Sequence, residues 1–184
     1  MQDTETKPKT REFVNPEQVL AAVPVQPGMV VADFGCGSGH FAVAAADMAG
    51  RKGQVHAYDV LEEALSQTAT LARLKGLQNV STHQCDMEKF GACDLSELTA
   101  DLVVISGLLH QLTNRDNAIR EAYRALKTGG RILIVEWKKD SPLGPNVSDR
   151  VDSADVKILL EKHGLRPVAE LPAGAFHYAL VYSK

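Results

Sequence analysis

Residues 30 to 50 constrain the fold more than any other stretch. An apolar run, Met29 to Ala32, ends at Asp33 and passes into three glycines spaced by two: Gly35, Gly37 and Gly39. An alanine-rich segment follows, with Phe41, Ala44, Ala45 and Met48 at helical spacing. The pattern predicts a buried strand, a tight turn and a helix, the form of a nucleotide-binding loop. Glycines allow backbone conformations closed to other residues and let a ligand approach the main chain. The free N–H groups at the start of the helix then face whatever occupies the turn.

The glycine spacing selects among ligands. A dinucleotide fingerprint, G-x-G-x-x-G, needs its third glycine at position 40, where His40 stands. A P-loop needs Gly-Lys-Ser/Thr, which the chain lacks. Taken alone, the turn is also compatible with a purely structural role.

Further along, strands end in carboxylates. Gln54 to Asp59 reads as a second strand, and Asp59 comes twenty residues after Gly39. At that distance a carboxylate can accept hydrogen bonds from the two hydroxyls of a ribose, or it can cap the helix that begins near Leu61. That helix spans 61–75 and is stopped by Gly76. Val80 to Gln84 gives a third strand, followed by Cys85, Asp86 and Met87. Ala100 to Ser106 is apolar enough for the middle of a parallel sheet. Asn114 then caps a helix with Ile119, Ala122, Tyr123 and Leu126 on one face, supported by an Asp116–Arg120 pair and closed by Thr128-Gly129-Gly130. Arg131 to Glu136 is a fifth strand. A long proline-broken loop, a helix over 153–163 and a hairpin of strands 165–171 and 175–182 complete the chain, the last strand alternating Phe176, Tyr178, Leu180, Tyr182 with His177, Ala179, Val181. Before all this, Asn15-Pro16-Glu17 starts a short helix, and residues 1–12 read as a disordered tail.

The segment Asp33-Phe-Gly-Cys-Gly-Ser-Gly39 closely resembles the first motif of the class I S-adenosylmethionine-dependent methyltransferases, and Leu126-Lys-Thr-Gly-Gly-Arg-Ile-Leu-Ile-Val135 resembles a late motif of that family. The resemblance covers about residues 15–184 and implies a Rossmann-like, seven-stranded, mostly parallel sheet of order 3-2-1-4-5-7-6, with the last strand antiparallel and helices on both faces. It implies S-adenosylmethionine as the cofactor, bound by Asp33, Gly35, Cys36, Gly37, Gly39, Asp59, Val60, Asp86, Met87 and Ser106. In this family the residue matching Asp86 accepts from the adenine amino group and the next residue packs on the ring. The acceptor pocket is expected at the carboxyl ends of the fourth and fifth strands and at the hairpin, with His110 as candidate base and His110, Trp137 and His177 as candidate pocket residues. The chain resembles the small-molecule group that includes quinone-biosynthesis C-methyltransferases. It lacks the Asp/Asn-Pro-Pro-aromatic motif of amino-directed nucleic-acid enzymes, an acidic metal cluster and the paired cysteines of arsenite methylation. The rival readings are a module that binds the cofactor without transfer and a nicotinamide-dependent oxidoreductase.

Composition sets outer limits. Residues 13–184 fit one domain with a single core. A formal net charge of -3 gives no basic field for nucleic acid, which argues against a polynucleotide substrate; the small-molecule acceptor is what the resemblance implies. No apolar run approaches the roughly 18 residues of a membrane span, and the N-terminus lacks a signal peptide's apolar core. Three cysteines, Cys36, Cys85 and Cys93, lack metal-ligand spacing and read as reduced thiols in a cytoplasmic protein. With no inserted cap between strands, the pocket is expected to be open, or closed by the N-terminal segment or by a second subunit in a homodimer.

Overall fold

The computed structural model describes residues 13–184, so the tail expected over 1–12 lies outside the described residues. The elements are α1 (Pro16–Ala22), β1 (Val30–Phe34), α2 (His40–Ala49), β2 (Gln54–Asp59), α3 (Glu62–Leu74), β3 (Val80–Gln84), β4 (Ala100–Ser106), α4 (Arg115–Ala125), β5 (Leu126–Trp137), α5 (Ser153–Lys162), β6 (Arg166–Ala173) and β7 (His177–Ser183). A single 3-10 turn, Leu109–Gln111, follows β4.

The seven strands form one sheet in the order β3-β2-β1-β4-β5-β7-β6, as the sequence implies. Strands β1 to β5 pair in parallel, and β7 inserts antiparallel between β5 and β6. β1, β4 and the stretch Ile132 to Val135 of β5 are nearly continuous apolar runs because both faces are covered, whereas β2 and β3, towards the sheet edge, carry Gln54, His56, Ser81, Thr82 and His83. One face packs Ile105, Ile132, Ile134, Leu180 and Tyr182 with residues of α4 and α5. The other packs Val31, Val104, Leu133, Val135 and Val181 with α1 and α2. The alternation read in β7 therefore serves two cores, not one core and solvent.

Local signals set most boundaries. Asn15 caps α1, its side chain accepting from the Gln18 amide with Pro16 in the first turn. Asn114 caps α4 in the same way. Two expectations need correction. The helix before Gly129 stops at Ala125, and residues 126–137 are all strand, with a register shift opposite Ala100 and Leu102 that absorbs Gly129 at φ 79°. Asp116 does not pair with Arg120; it binds Lys162 and His163 across the α4–α5 contact, while the Arg120 guanidinium lies over the Phe90 ring. A tertiary site offering a lysine ammonium and an imidazole outcompetes one exposed i,i+4 pair.

The cysteine reading is also corrected. Cys85 and Cys93 form a disulfide, and Cys36 alone is free and buried. The thiol argument for a reducing compartment falls with it. Among the described residues, no helix is long and apolar enough to cross a membrane.

Candidate active site

The glycine turn that follows β1 is held by contacts from β2 and α3. Gly35 and Cys36 donate to the Tyr58 carbonyl at 2.8 and 2.9 Å, which locks the turn to β2. Gly37 stands at φ 52° with open space where a Cβ would lie, so its main chain faces the cavity unobstructed. Gly39 has another reason to be glycine: at φ 83° an added Cβ would sit 2.7 Å from Oγ1 of Thr68 on α3. Thr68 in turn donates to the Gly37 carbonyl at 3.0 Å. The sequence did not single out Thr68; its signal was a hydroxyl on the buried face of an amphipathic helix.

Asp59 ends β2 and braces the turn from the other side. One carboxylate oxygen accepts from the Gly37 amide and the other from the Leu61 amide, both at 3.0 Å. Each oxygen retains a lone pair for a further donor. Asp33, fully buried at the end of β1, lies against the Ala42 amide in the first turn of α2, and its Oδ2 has no hydrogen-bond partner among the described residues. Burial pushes the Asp33 carboxyl up to about 7; the Ala42 amide opposes the shift and the Asp59 charge adds to it.

These groups line one cavity of about 790 Å³ at the carboxyl ends of β1, β2 and β4. Of the sequence-predicted cofactor residues, Asp33, Gly35, Cys36, Gly37, Asp59, Val60, Asp86, Met87 and Ser106 all border it. Gly39 does not; it serves the α2–α3 packing. Val14 and Pro16 border the cavity too, so the N-terminal segment contributes to its wall. Burial pushes the Cys36 thiol up to about 12 despite the Thr68 hydrogen bond, which disfavours the thiolate.

The wall formed by residues 85–88 is fastened from several directions. Asp86 accepts from the Glu88 amide and pairs with Lys89, which together hold its carboxyl below the usual range. Asn117 donates to the Glu88 carbonyl, and Glu88 accepts from the Asn114 amide. Buried Glu121, itself paired with Arg124, accepts from the Gly91 amide.

The acceptor-side candidates divide. His177 borders the cavity and is buried, with its ring against Trp137 at a centroid distance of 4.0 Å. Trp137 is not a cavity wall; its indole is wedged between His177 and Gly144. His110 opens onto an adjoining groove and is hydrogen-bonded to Glu136. Among the described residues, no group of three His, Cys, Asp or Glu side chains is arranged to hold a metal ion.

A C-methyltransferase of ubiquinone and menaquinone biosynthesis, UbiE of Shewanella sp. (strain W3-18-1), is 33% identical over 115 residues, 62% of this chain and 45% of the relative. The corresponding protein of Hydrogenovibrio crunogenus is 31% identical over the same length, covering 62% of this chain and 44% of its own. The chain thus spans about half the length of the curated relatives it matches. Among solved structures, a SAM-dependent methyltransferase from Aquifex aeolicus superposes with a TM-score of 0.85 at 27% identity, covering 96% of this chain and 93% of that one. The [4+2]-cyclase SpnF shares the fold at a TM-score of 0.76 and 20% identity, covering 91% and 79%. The family model described as a methyltransferase domain matches residues 25–170, and the chain belongs to that family.

Proposed function

We propose that this chain transfers a methyl group from S-adenosylmethionine to a small-molecule acceptor. One observation carries the reading. The cavity wall presents the carboxylates of Asp33, Asp59, Asp86 and Glu88 and, among the described residues, no lysine or arginine. Such a wall suits a ligand bearing sulfonium and ammonium charges. It offers no cation to the pyrophosphate of a nicotinamide dinucleotide, which also misses its third glycine.

The chain's own groups fit the ligand part by part. Asp59 takes the ribose hydroxyls on its remaining lone pairs, and Val60 packs beside them. Asp86 accepts from the adenine amino group, with Met87 against the ring. Gly35, Cys36 and Gly37 pass their main chain beneath the ligand, Gly39 holds the turn's shape, and Ser106 closes the β4 side. The unpartnered Asp33 Oδ2 meets the ammonium end, directly or through water. Bound S-adenosylmethionine supplies a methyl group already activated by the positive charge on sulfur. The protein's part is then to hold an acceptor in line with that group in a water-poor cleft, which is worth roughly 7–11 kcal/mol of the barrier. The acceptor side is formed by His110 and His177, with Trp137 fixing the His177 ring. The net charge of -3 favours a small molecule over a polynucleotide. The role of the UbiE relatives in quinone biosynthesis favours a ring compound.

Titration calorimetry with S-adenosylmethionine, S-adenosylhomocysteine and NAD tests the reading. Binding of both adenosyl ligands is expected. NAD binding without them would overturn it.

A further inference from the structure

Glu136 poses a problem of energetics. It is fully buried near the end of β5, where a carboxylate costs several kcal/mol unless its lone pairs are met. Both oxygens are met. The Leu109 amide donates to one at 2.6 Å and His110 Nδ1 to the other at 2.9 Å. No lysine or arginine pairs with it among the described residues; the only ion-pair partner is His110. Leu109 and His110 belong to the same 3-10 turn, so one carboxylate fixes both the turn and the ring it carries.

The pairing also fixes the tautomer. A carboxylate oxygen accepts, so Nδ1 carries a proton, and in the base form of the ring the lone pair stands on Nε2. The ring borders a groove of about 690 Å³ that shares Gln111 and Leu112 with the main cavity. Across the sheet, His177 faces the cavity as the register partner of Trp137, the residue after Glu136. Burial, helped by the charge of Lys138, pushes His177 down to about 4, so that ring is neutral near pH 7. Its buried Nδ1 has no partner among the described residues.

We propose that His110 is the base of the transfer, that Glu136 is its positioning residue, and that the acceptor carries a weakly acidic hydroxyl, a phenol or an enol. The proposal rests on the reading of the adjoining cavity as the methyl donor's site. Arg115, its Nε held by the Leu109 carbonyl, borders the groove of His110, and the two imidazoles stand beside Leu108 and Leu112. The imidazoles can serve a hydroxyl, one nitrogen hydrogen-bonding it and the other taking its proton. In that step the O–H bond breaks, its electron pair stays on oxygen, and an N–H bond forms at His110 Nε2. The resulting imidazolium lies against the Glu136 carboxylate, which stabilises it. Imidazole is matched to an acid such as a phenol, with a pKa near 10, and not to an aliphatic alcohol.

The test uses the whole chain and isotopically methyl-labelled S-adenosylmethionine, with phenol, hydroquinone, acetylacetone, benzylamine and thiophenol as probes. Methylation of hydroxyl-bearing probes is expected. His110→Gln should lower turnover by about a hundredfold or more while S-adenosylhomocysteine affinity, read by calorimetry, stays within about threefold of wild type. Glu136→Gln should lower turnover as well and, in nitrogen-15 NMR of the imidazoles, replace the single Nδ1–H tautomer of His110 by a mixture. Phenol titrated into the S-adenosylhomocysteine complex should move the His110 Nε2 resonance, whether or not phenol is turned over. Full activity in His110→Gln, methylation confined to the amine or thiol, an unchanged tautomer in Glu136→Gln, or a stationary Nε2 resonance overturns the proposal. Loss of S-adenosylhomocysteine binding by the wild type would overturn the donor-site reading itself, and is told apart by the calorimetry alone.

Discussion

The Asp59 carboxylate accepts the Gly37 amide at 3.0 Å, binding the end of β2 to the middle of the glycine turn. The residue proposed to hold the ribose therefore also shapes the loop beneath it. Asp59→Ala should weaken S-adenosylhomocysteine binding at least tenfold, since hydrogen bonds to a charged group are worth about 1.5–3 kcal/mol each. Asp59→Asn keeps an acceptor for Gly37 and should retain the fold, read by circular dichroism, while losing part of that affinity. Wild-type affinity in the alanine variant would remove Asp59 from the ligand site.

The disulfide yields a second expectation. Cys85 and Cys93 close a short loop, with a sequence separation of 8, that includes Asp86, Met87 and Glu88 of the cavity wall. A loop of this length confers about 2.5 kcal/mol on the chain-entropy estimate. The same segment is held independently by Glu121 on the Gly91 amide, Arg124 on the Leu95 carbonyl and Asn117 on the Glu88 carbonyl. Replacing both cysteines by serine should lower the guanidinium midpoint yet change S-adenosylhomocysteine affinity by less than about threefold. A large loss of affinity would show that the disulfide alone positions the wall.

These contacts mark what a sequence exposes and what it hides. The turn from Asp33 to Gly39, the caps Asn15 and Asn114, and the strand-end residues Asp59 and Asp86 were legible because each signal is local: a glycine spacing, a cap before an apolar run, a carboxylate closing a strand. The sheet order followed from the resemblance. What stayed hidden needs the fold to bring distant residues together. His110 and Glu136 are 26 residues apart and meet only because β4 and β5 are neighbours. Asp116 finds Lys162 across 46 residues. The cysteines are near in sequence, but pairing depends on how the loop folds back over α4. A lone carboxylate closing the apolar run Ile132 to Val135 was the one available hint of Glu136.

Arg150 organises the long loop after β5. Its buried guanidinium donates to the carbonyls of Lys138, Lys139, Ser141, Leu143 and Pro145, a fork that no other side chain can reproduce. Arg150→Lys keeps the charge but loses most of these bonds, and should cost about 3 kcal/mol, the worth of one or two charge-assisted bonds. Hydrogen exchange should speed up over 138–150 while β1 and β4 remain protected. Unchanged exchange in the loop would show that its order comes from proline and packing alone.

Asp33 links stability to pH with an unusual sign. In the unfolded chain its carboxyl titrates near the ordinary 3.8, whereas in the folded chain burial holds the proton until about 7. Between those values the folded state binds more protons than the unfolded state, so stability falls as pH rises through the window and the loss is complete above it. Asp33→Asn cannot ionise, and the ligand-free variant should be more stable than wild type at pH 8 and nearly equal to it at pH 4, as read from urea midpoints. Ligand binding should respond in the opposite direction. A cationic ligand favours the ionised carboxylate, so wild-type affinity for S-adenosylmethionine should rise between pH 5.5 and 8 by about tenfold or more, with proton release seen as a buffer-dependent enthalpy. Asp33→Asn should flatten that rise and bind more weakly at pH 8. A variant more stable when empty and weaker when loaded would show that the buried, half-satisfied carboxylate is kept for the ligand and not for the fold; equal stability across the pH range would show that Asp33 is already ionised in the empty protein.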